Sequence, residues 1–240
     1  MNSAYAIKKE ICEVGHRVYQ RGYVAANDGN ISVRIEDDLV LCTPTGVSKG
    51  YLSADILATC DMEGRQVAGS IKISSEIRMH LEIYKLRPDV RAVVHAHPPT
   101  ATGFAVAGIE LTQCVLPEVI VSLGGIPLAD YGTPGGPDIV EPMKPLLRQY
   151  DAVLMANHGV VTVGQHVMDA HFKMETVEHF AQIALVAHQL GGIRTLGGKD
   201  VEDLTNLRAR FGIGDRPSCE IAEESDLVER ITEEVLRQLR

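Results

Sequence analysis

Two short apolar segments that each lead into histidine constrain the fold of this chain most strongly. The first is VRAVVHAH, residues 90–97, and the second is DAVLMANHG, residues 151–159. Continuous apolar runs of this length, followed by proline or glycine turns, are typical of buried strands. They predict an α/β protein in which buried strands carry histidines to the turns at their ends.

The other helix- and strand-forming segments follow one another irregularly. Apolar residues at helical spacing predict an amphipathic helix near the N-terminus and a long helix later in the chain. Because the strand connections are too irregular for repeated βαβ units, several antiparallel strands are expected. The predicted elements are helices over 4–22, 74–88 and 168–190, a strand pair at 27–35 and 39–46, strands within 111–117 and 118–129, and a loop at 131–138.

The length and composition predict one main domain, residues 1–211, followed by a tail, residues 212–240. A chain of 240 residues with 45% hydrophobic content can bury a sizeable core. The start of the tail is rich in glycine, proline and acidic residues, as in a linker. The tail then ends in an amphipathic helical pattern with apolar residues at intervals of four: Leu227, Ile231, Val235 and Leu239.

The terminal helix predicted over 226–240 needs a partner surface, since so short a helix is marginal alone in water. Packing on its own subunit or oligomer is the favoured interpretation. The segment also looks like the encapsulation peptides of enzymes packed in bacterial microcompartments, so a microcompartment shell is the alternative partner and address. A non-catalytic assembly subunit that docks through this helix is the non-enzyme alternative.

Charge and cysteine content argue against several other classes of protein. The formal net charge of -9 argues against a nucleic-acid partner, because such proteins present basic surfaces to phosphates. The N-terminus lacks the apolar core of a signal peptide, and no segment reaches the roughly 20 apolar residues of a membrane span. Five scattered cysteines without CxxC spacing predict neither a disulfide framework nor a cysteine zinc site. A cytoplasmic protein with no membrane partner is expected.

Three histidines form the candidate metal centre. His95 and His97 lie two residues apart, and a period of two places both imidazoles on one face of a strand end. His158 follows the second apolar run and precedes a glycine turn, where functional side chains are often displayed. Neutral imidazoles suit Zn²⁺, and a carboxylate would complete a tetrahedral shell.

A second set of side chains has metal-ligand spacing on the predicted long helix. His171, Glu175 and His179 lie four residues apart on one helical face. The simpler interpretation, polar residues on an exposed helix side, is favoured for this set. The same interpretation applies to Glu76 and His80.

Three segments are able to bind a small anion such as phosphate. DGNIS (28–32) and TPTG (43–46) are turns that expose backbone N–H groups, and SSE (74–76) forms the first turn of a predicted helix, where the dipole favours an anion. Each segment alone is also an ordinary turn or helix cap. Lys49 either adds positive charge or is solvated.

The order GNIS, TPTG, SSE, HAH, NHG resembles the class II aldolase/adducin family, in its L-fuculose-phosphate aldolase-like branch, over residues 5–210. The resemblance implies a three-layer α/β/α single domain around a mainly antiparallel sheet, and a homotetramer with active sites at subunit interfaces. It assigns one Zn²⁺ per subunit to His95, His97 and His158. It makes Glu76 the catalytic carboxylate, which also ligates the metal when substrate is absent. The implied phosphate contacts are Gly29, Asn30, Thr45, Gly46, Ser74 and Ser75.

Two positions bear on the reaction that this resemblance implies. Ribulose-phosphate 4-epimerases of the same superfamily carry Asp where this chain has Glu76, which favours an aldolase. The fuculose-phosphate aldolases contribute a tyrosine from a neighbouring subunit about 20 residues after HxH, whereas the corresponding stretch IELTQCVLPEV has none. The proton donor to the aldehyde oxygen is therefore open among Tyr131, Glu118 and water.

The implied activity is cleavage of a ketose 1-phosphate of the L-fuculose 1-phosphate type to dihydroxyacetone phosphate and an aldehyde. A bound zinc would act as Lewis acid, and Glu76 would move the proton at the carbon that becomes the enediolate. Aldolases for 5-deoxyribulose 1-phosphate or 5-methylthioribulose 1-phosphate are alternatives, as are epimerases, dehydratases and decarboxylases of this fold.

Overall fold

An eight-stranded sheet forms the centre of the computed structural model, which describes residues 4–133, 135–214 and 217–220. In chain order the strands are β1 Asn30–Arg34, β2 Leu39–Cys42, β3 Ala58–Asp61, β4 Gln66–Ala68, β5 Ala92–Ala96, β6 Leu128–Ala129, β7 Ala152–Met155 and β8 Gly159–Gly164. Their spatial order is β4-β3-β2-β1-β5-β8-β7-β6. Only the β6–β7 pair is parallel, so the prediction of a mainly antiparallel sheet is confirmed.

Helices cover both faces of this sheet. Those in the described part of the chain are α1 Ala4–Gln20, α2 Ile77–Leu86, α3 Pro99–Ala107, α4 Pro117–Ser122, α5 Lys144–Leu147, α6 Val167–Gln189 and α7 Gly198–Arg210. On β5, Val94 packs in the cluster that includes α1, α3 and α6, whereas Val93 packs in the opposite cluster with α2 and α5. This alternation buries both faces, and the predicted three-layer α/β/α fold is confirmed.

The strongest patterns in the sequence form the elements expected of them. The predicted first helix is α1, with Ile11, Val14 and Val18 buried against the sheet. The predicted strand pair is β1 with β2, which are antiparallel. The two apolar runs form the fully buried strands β5 and β7, and the predicted long helix is α6.

Three local predictions are wrong. The segment predicted as strand within 111–117 forms only isolated bridges, at Leu111 and Gln113. The segment predicted as strand within 118–129 forms helix α4 over its first part, because Pro117 suits a helix start and Val119 and Ile120 are buried in the helical arrangement. The first turn of α2 does not contain the serines. The helix begins at Ile77 with Glu76 as its N-cap residue, and Ser74 lies in the turn before it.

The cysteine spacing predicts no disulfide framework, yet Cys114 and Cys219 form a disulfide. The two residues are 105 positions apart, so their pairing depends on tertiary structure. Residue 220 lies beside the 112–114 segment: the Cys114 N–H donates to the Glu220 carbonyl, and the Glu220 N–H donates to the Thr112 carbonyl. Cys12, Cys42 and Cys60 are free thiols.

We expect three cysteines to react with a thiol reagent in unfolded, unreduced protein, and five after reduction. Reduction should also lower the free energy of unfolding, by about 4 to 5 kcal/mol if loop closure over about 100 residues dominates. Thiol counting and denaturant unfolding with and without reductant measure both effects. Five reactive thiols before reduction would contradict the disulfide.

The predicted terminal helix over 226–240 lies outside the described residues, so its packing and its interpretation as an address stay predictions. The proposed boundary between residues 211 and 212 likewise stays a prediction. The helices in the described part of the chain include no candidate for a membrane span.

Candidate active site

The three predicted histidines converge at one edge of the sheet. His95 is the fourth residue of β5 and His97 follows the strand, so that their Nε2 atoms face each other 3.1 Å apart. His158 lies in the turn from β7 to β8, after Asn157 with φ 56°. One ring nitrogen from each histidine lies within 4.8 Å of the others, and the described residues contain no other cluster of this kind.

The orientation of His95 suits a metal ligand. Its Nδ1 lies 2.9 Å from the Val160 carbonyl, which accepts a hydrogen bond and leaves Nε2 as the lone-pair nitrogen toward the other histidines. Burial lowers the pKa of His95 to about 3, so the ring is neutral at pH 7. Three converging imidazoles are a donor set that fits a divalent transition metal.

Two glycines make room for the histidines. A Cβ on Gly159 would lie 2.5 Å from His97 Cδ2 and 2.7 Å from the Ala96 carbonyl oxygen. Gly29 has φ +72°, and a Cβ there would lie 2.8 Å from the His95 carbonyl oxygen. The DGN and NHG turns therefore need glycine because the histidine strand end passes so close to them.

Gly159→Ala should displace His97 and weaken metal binding at least tenfold, with a loss of about 1–3 kcal/mol in stability from overpacking. Gly103→Ala is the matched control, because Gly103 lies in helix α3 with open space around the added methyl. Metal titration and thermal unfolding of both variants test this. Unchanged affinity in Gly159→Ala would contradict the close packing.

Glu76 lies against the histidines at the start of α2. Its Oε1 is 3.3 Å from His158 Nε2 and its Oε2 is 3.8 Å from His95 Nε2. Asn30, which pairs with His95 across β1 and β5, donates from Nδ2 to Glu76 Oε2 over 2.6 Å. Burial raises the Glu76 pKa, but the contacts with His158, His95 and Asn30 lower it overall to about 2. The carboxylate is placed either to ligate a metal or to exchange a proton beside it.

The predicted phosphate segments surround one cavity of about 310 Å³ next to the histidines. Its lining residues are Asn27, Asp28, Gly29, Pro44, Thr45, Gly46, Lys49, Ser74, Ser75, Glu76, His97, Gly135 and His158. Five of the six predicted phosphate contacts are among them. The sixth, Asn30, is buried and holds Glu76 instead.

Sequence reasoning missed several features of this cavity. Asp28 belongs to the DGN motif, and its Oδ2 lies 3.7 Å from His97 Nδ1, a contact that the motif alone does not indicate. Gly135 comes from the 131–138 loop and lies over Ser75. Lys49 is 2% exposed, so the interpretation as a solvated lysine is wrong. Tyr131 is 59% exposed, and neither it nor the exposed Glu118 lines the cavity.

The alternative metal set is not assembled. Glu175 Oε1 lies 2.5 Å from Arg21 Nε and 3.2 Å from His171 Nε2, and His179 is exposed. His171 is fully buried, so the exposed-face interpretation fails for this residue.

The same interpretation also fails for His80. This residue is fully buried, and its Nδ1 lies 2.6 Å from Ser32 Oγ, which also contacts Tyr84. His80 thus belongs to a polar group between β1 and α2.

Comparison with known proteins identifies the family. The model of the class II aldolase and adducin N-terminal domain matches residues 9–185. The chain is 35% identical to 3-oxo-tetronate 4-phosphate decarboxylase of Haemophilus influenzae, over 84% of this chain and 97% of the relative. It is 34% identical to L-fuculose phosphate aldolase of Methanocaldococcus jannaschii, over 75% and 96%. The crystal structure of YgbL from Klebsiella pneumoniae, an aldolase/epimerase/decarboxylase homologue, matches with a TM-score of 0.79 at 28% identity, covering 85% of this chain and all of YgbL. The chain belongs to the class II aldolase and adducin N-terminal domain family.

Proposed function

We propose that this enzyme is a zinc-dependent aldolase that cleaves a ketose 1-phosphate of the L-fuculose 1-phosphate type to dihydroxyacetone phosphate and an aldehyde. The observation that carries the proposal is a single cavity lined by His97, His158, Glu76 and the predicted phosphate turns, with the buried His95 completing the cluster of three imidazoles behind it. The 34% sequence identity to a fuculose phosphate aldolase, over 96% of that relative's length, supports the same conclusion.

His95, His97 and His158 would hold the metal, and Glu76 would be the fourth ligand in the absence of substrate. When bound, the ion supplies Lewis-acid polarisation of the substrate carbonyl, which is worth several kcal/mol at the transition state. Zinc is proposed over other divalent ions because neutral imidazole and carboxylate are its usual catalytic donor set.

The protein's own groups divide the remaining work. The turns at Gly29, Gly46 and Ser74 would hold the phosphoryl group and so fix the three-carbon fragment against the histidines. Glu76 would return a proton to the carbon that loses its bond to the aldehyde. The Asn30 side chain donates a 2.6 Å hydrogen bond to Glu76 Oε2, and this bond fixes the orientation of the carboxylate.

A decarboxylase acting on 3-oxo-tetronate 4-phosphate is the second candidate. Two observations favour it: the 35% identity to such an enzyme, and the lack of tyrosine between His97 and Glu118. Loss of carbon dioxide from a 3-oxo acid leaves the same three-carbon fragment to be protonated, and it releases no aldehyde oxygen that needs a proton. Glu76 would have the same role in both reactions.

A substrate panel decides between these candidates. Zinc-loaded protein is incubated with L-fuculose 1-phosphate, 5-deoxyribulose 1-phosphate, 5-methylthioribulose 1-phosphate and 3-oxo-tetronate 4-phosphate. Dihydroxyacetone phosphate, aldehyde and carbon dioxide are then measured. Aldehyde release supports the aldolase, and carbon dioxide release supports the decarboxylase. Failure of the protein to take up zinc, together with no cleavage of any substrate, would contradict both candidates and support a non-catalytic assembly subunit.

We also propose a cytoplasmic homotetramer, with a microcompartment shell as the alternative partner of residues 226–240. The resemblance to fuculose-phosphate aldolases, which implies active sites at subunit interfaces, supports an assembly larger than one chain. Light scattering after size-exclusion chromatography measures the oligomer. A monomer with full activity would contradict active sites at subunit interfaces.

A further inference from the structure

Lys49 is a buried lysine at the wall of the catalytic cavity. It begins a short 3-10 turn, Lys49–Tyr51, that packs on α1, and it is 2% exposed. Gly15 of α1 permits this contact, because a Cβ there would lie 2.8 Å from the Lys49 carbonyl oxygen. The backbone of Lys49 is therefore held firmly, and its side chain extends among the residues that line the cavity.

The ammonium group joins the two turns that the phosphate site needs. Its Nζ donates to the Asn27 carbonyl over 2.8 Å and to the Val47 carbonyl over 2.9 Å. An ammonium has three N–H donors. Within the described residues these are the two hydrogen bonds that Nζ makes, so one donor is available to a ligand.

The charge balance of the cavity points to an anionic ligand. Of the described residues that line it, two are carboxylates, Asp28 and Glu76, and Lys49 is the only lysine or arginine. A buried ammonium is costly unless it is paired. Burial lowers the Lys49 pKa to about 8, against the opposing effect of Asp28 and Glu76. A dianion in the cavity would place a negative charge in direct contact with the Lys49 ammonium. The two backbone carbonyls that it contacts are neutral and supply no such charge.

We propose that the Lys49 ammonium is a further contact to the phosphoryl group of the substrate and sets how tightly the cavity holds that group. This inference rests on the proposed function, since it assumes that a phosphate occupies the cavity. Lys49 then has two roles: it ties the turns at Asn27 and Val47 together, and it donates one charged hydrogen bond to the phosphate.

The test compares two matched variants of the zinc-loaded full chain. Lys49→Gln removes the charge but keeps a polar side chain that can donate to the carbonyls. Lys72→Gln is the control, because Lys72 is an exposed neighbour whose carbonyl accepts from the Thr45 N–H, so only a surface charge is lost. Binding of inorganic phosphate is measured by calorimetry, together with zinc content, and KM and kcat for the best ketose phosphate of the panel.

Lys49→Gln should weaken phosphate binding and raise KM by about 10- to 100-fold, the size expected for loss of one charge-assisted hydrogen bond. Zinc content should be unchanged, kcat should change less than KM, and Lys72→Gln should match the wild type. A purely structural tie would lower the melting temperature and leave phosphate affinity within about twofold, which would overturn the inference.

A crystal structure of the wild type with inorganic phosphate tests the contact without any substitution. A phosphate oxygen within about 3 Å of Lys49 Nζ is expected, and phosphate bound elsewhere would overturn the inference. If the wild type cleaves a ketose phosphate but Lys49→Gln binds inorganic phosphate as tightly as the wild type, the Lys49 inference is wrong and the proposed function stands. If phosphate binds through Lys49 but no ketose phosphate is cleaved, the proposed function is wrong and the Lys49 contact stands.

Discussion

Glu76→Gln should reduce turnover by about two to four powers of ten, the usual contribution of a general acid or base. The amide cannot exchange a proton at neutral pH, yet it keeps the shape that Asn30 and His158 contact. The three imidazoles are untouched, so zinc should stay bound. Steady-state kinetics and elemental analysis of the purified variant measure the two effects.

Glu82→Gln is the matched control for this prediction. Glu82 lies on the same helix, α2, and its ion pairs with Lys85 and Lys144 are at the surface, where such pairs contribute little. Its turnover should equal that of the wild type. Near-normal turnover in Glu76→Gln would remove the carboxylate from the proton transfer and contradict the proposed mechanism.

His95→Ala should purify without stoichiometric zinc and without measurable cleavage. This residue is buried, and its Nε2 faces both His97 and Glu76. Without it, only two of the three imidazoles remain to bind the metal. The variant also leaves the Val160 carbonyl without its imidazole donor. His158→Ala should show the same loss of zinc, because its ring closes the third side of the cluster.

His16→Ala serves as the control, since His16 is exposed on α1, and this variant should keep both zinc and activity. Elemental analysis and activity after dialysis against dilute zinc provide the measurement. Full zinc occupancy in both His95→Ala and His158→Ala would contradict the centre and direct attention to the His171, Glu175 and His179 set.

The residues of the metal centre could be predicted because their positions follow from local rules. The period of two along a strand places His95 and His97 on one side. The two apolar runs, one before His95 and one before His158, mark the buried strands that lead to the histidines. The order of five short motifs then joined them to Glu76 and the phosphate turns through a family resemblance. The family is confirmed, and the roles of the individual residues stay proposals.

Other features depend on contacts between distant segments and leave no local pattern. The disulfide joins residues 105 positions apart, which the fold brings together where residues 113 and 220 pair in an isolated bridge. Lys49 looks like any surface lysine in the sequence, but the packing of α1 buries it. The segment after Pro117 has strand-forming residues, and tertiary burial overrides their preference.

The position of β5 within the sheet has a consequence for the proposed metal centre. β5 lies between β1 and β8, so the strand ends that carry the ligands belong to the interior of the sheet and to no free edge. Separating them requires breaking two ladders in the part of a protein that usually opens only by global unfolding. The arrangement of the three imidazoles should therefore persist in the folded protein without metal. The proposed phosphate turns at 43–46 and 74–76 lie outside these two ladders, so substitutions there can change the substrate range without disturbing the histidines.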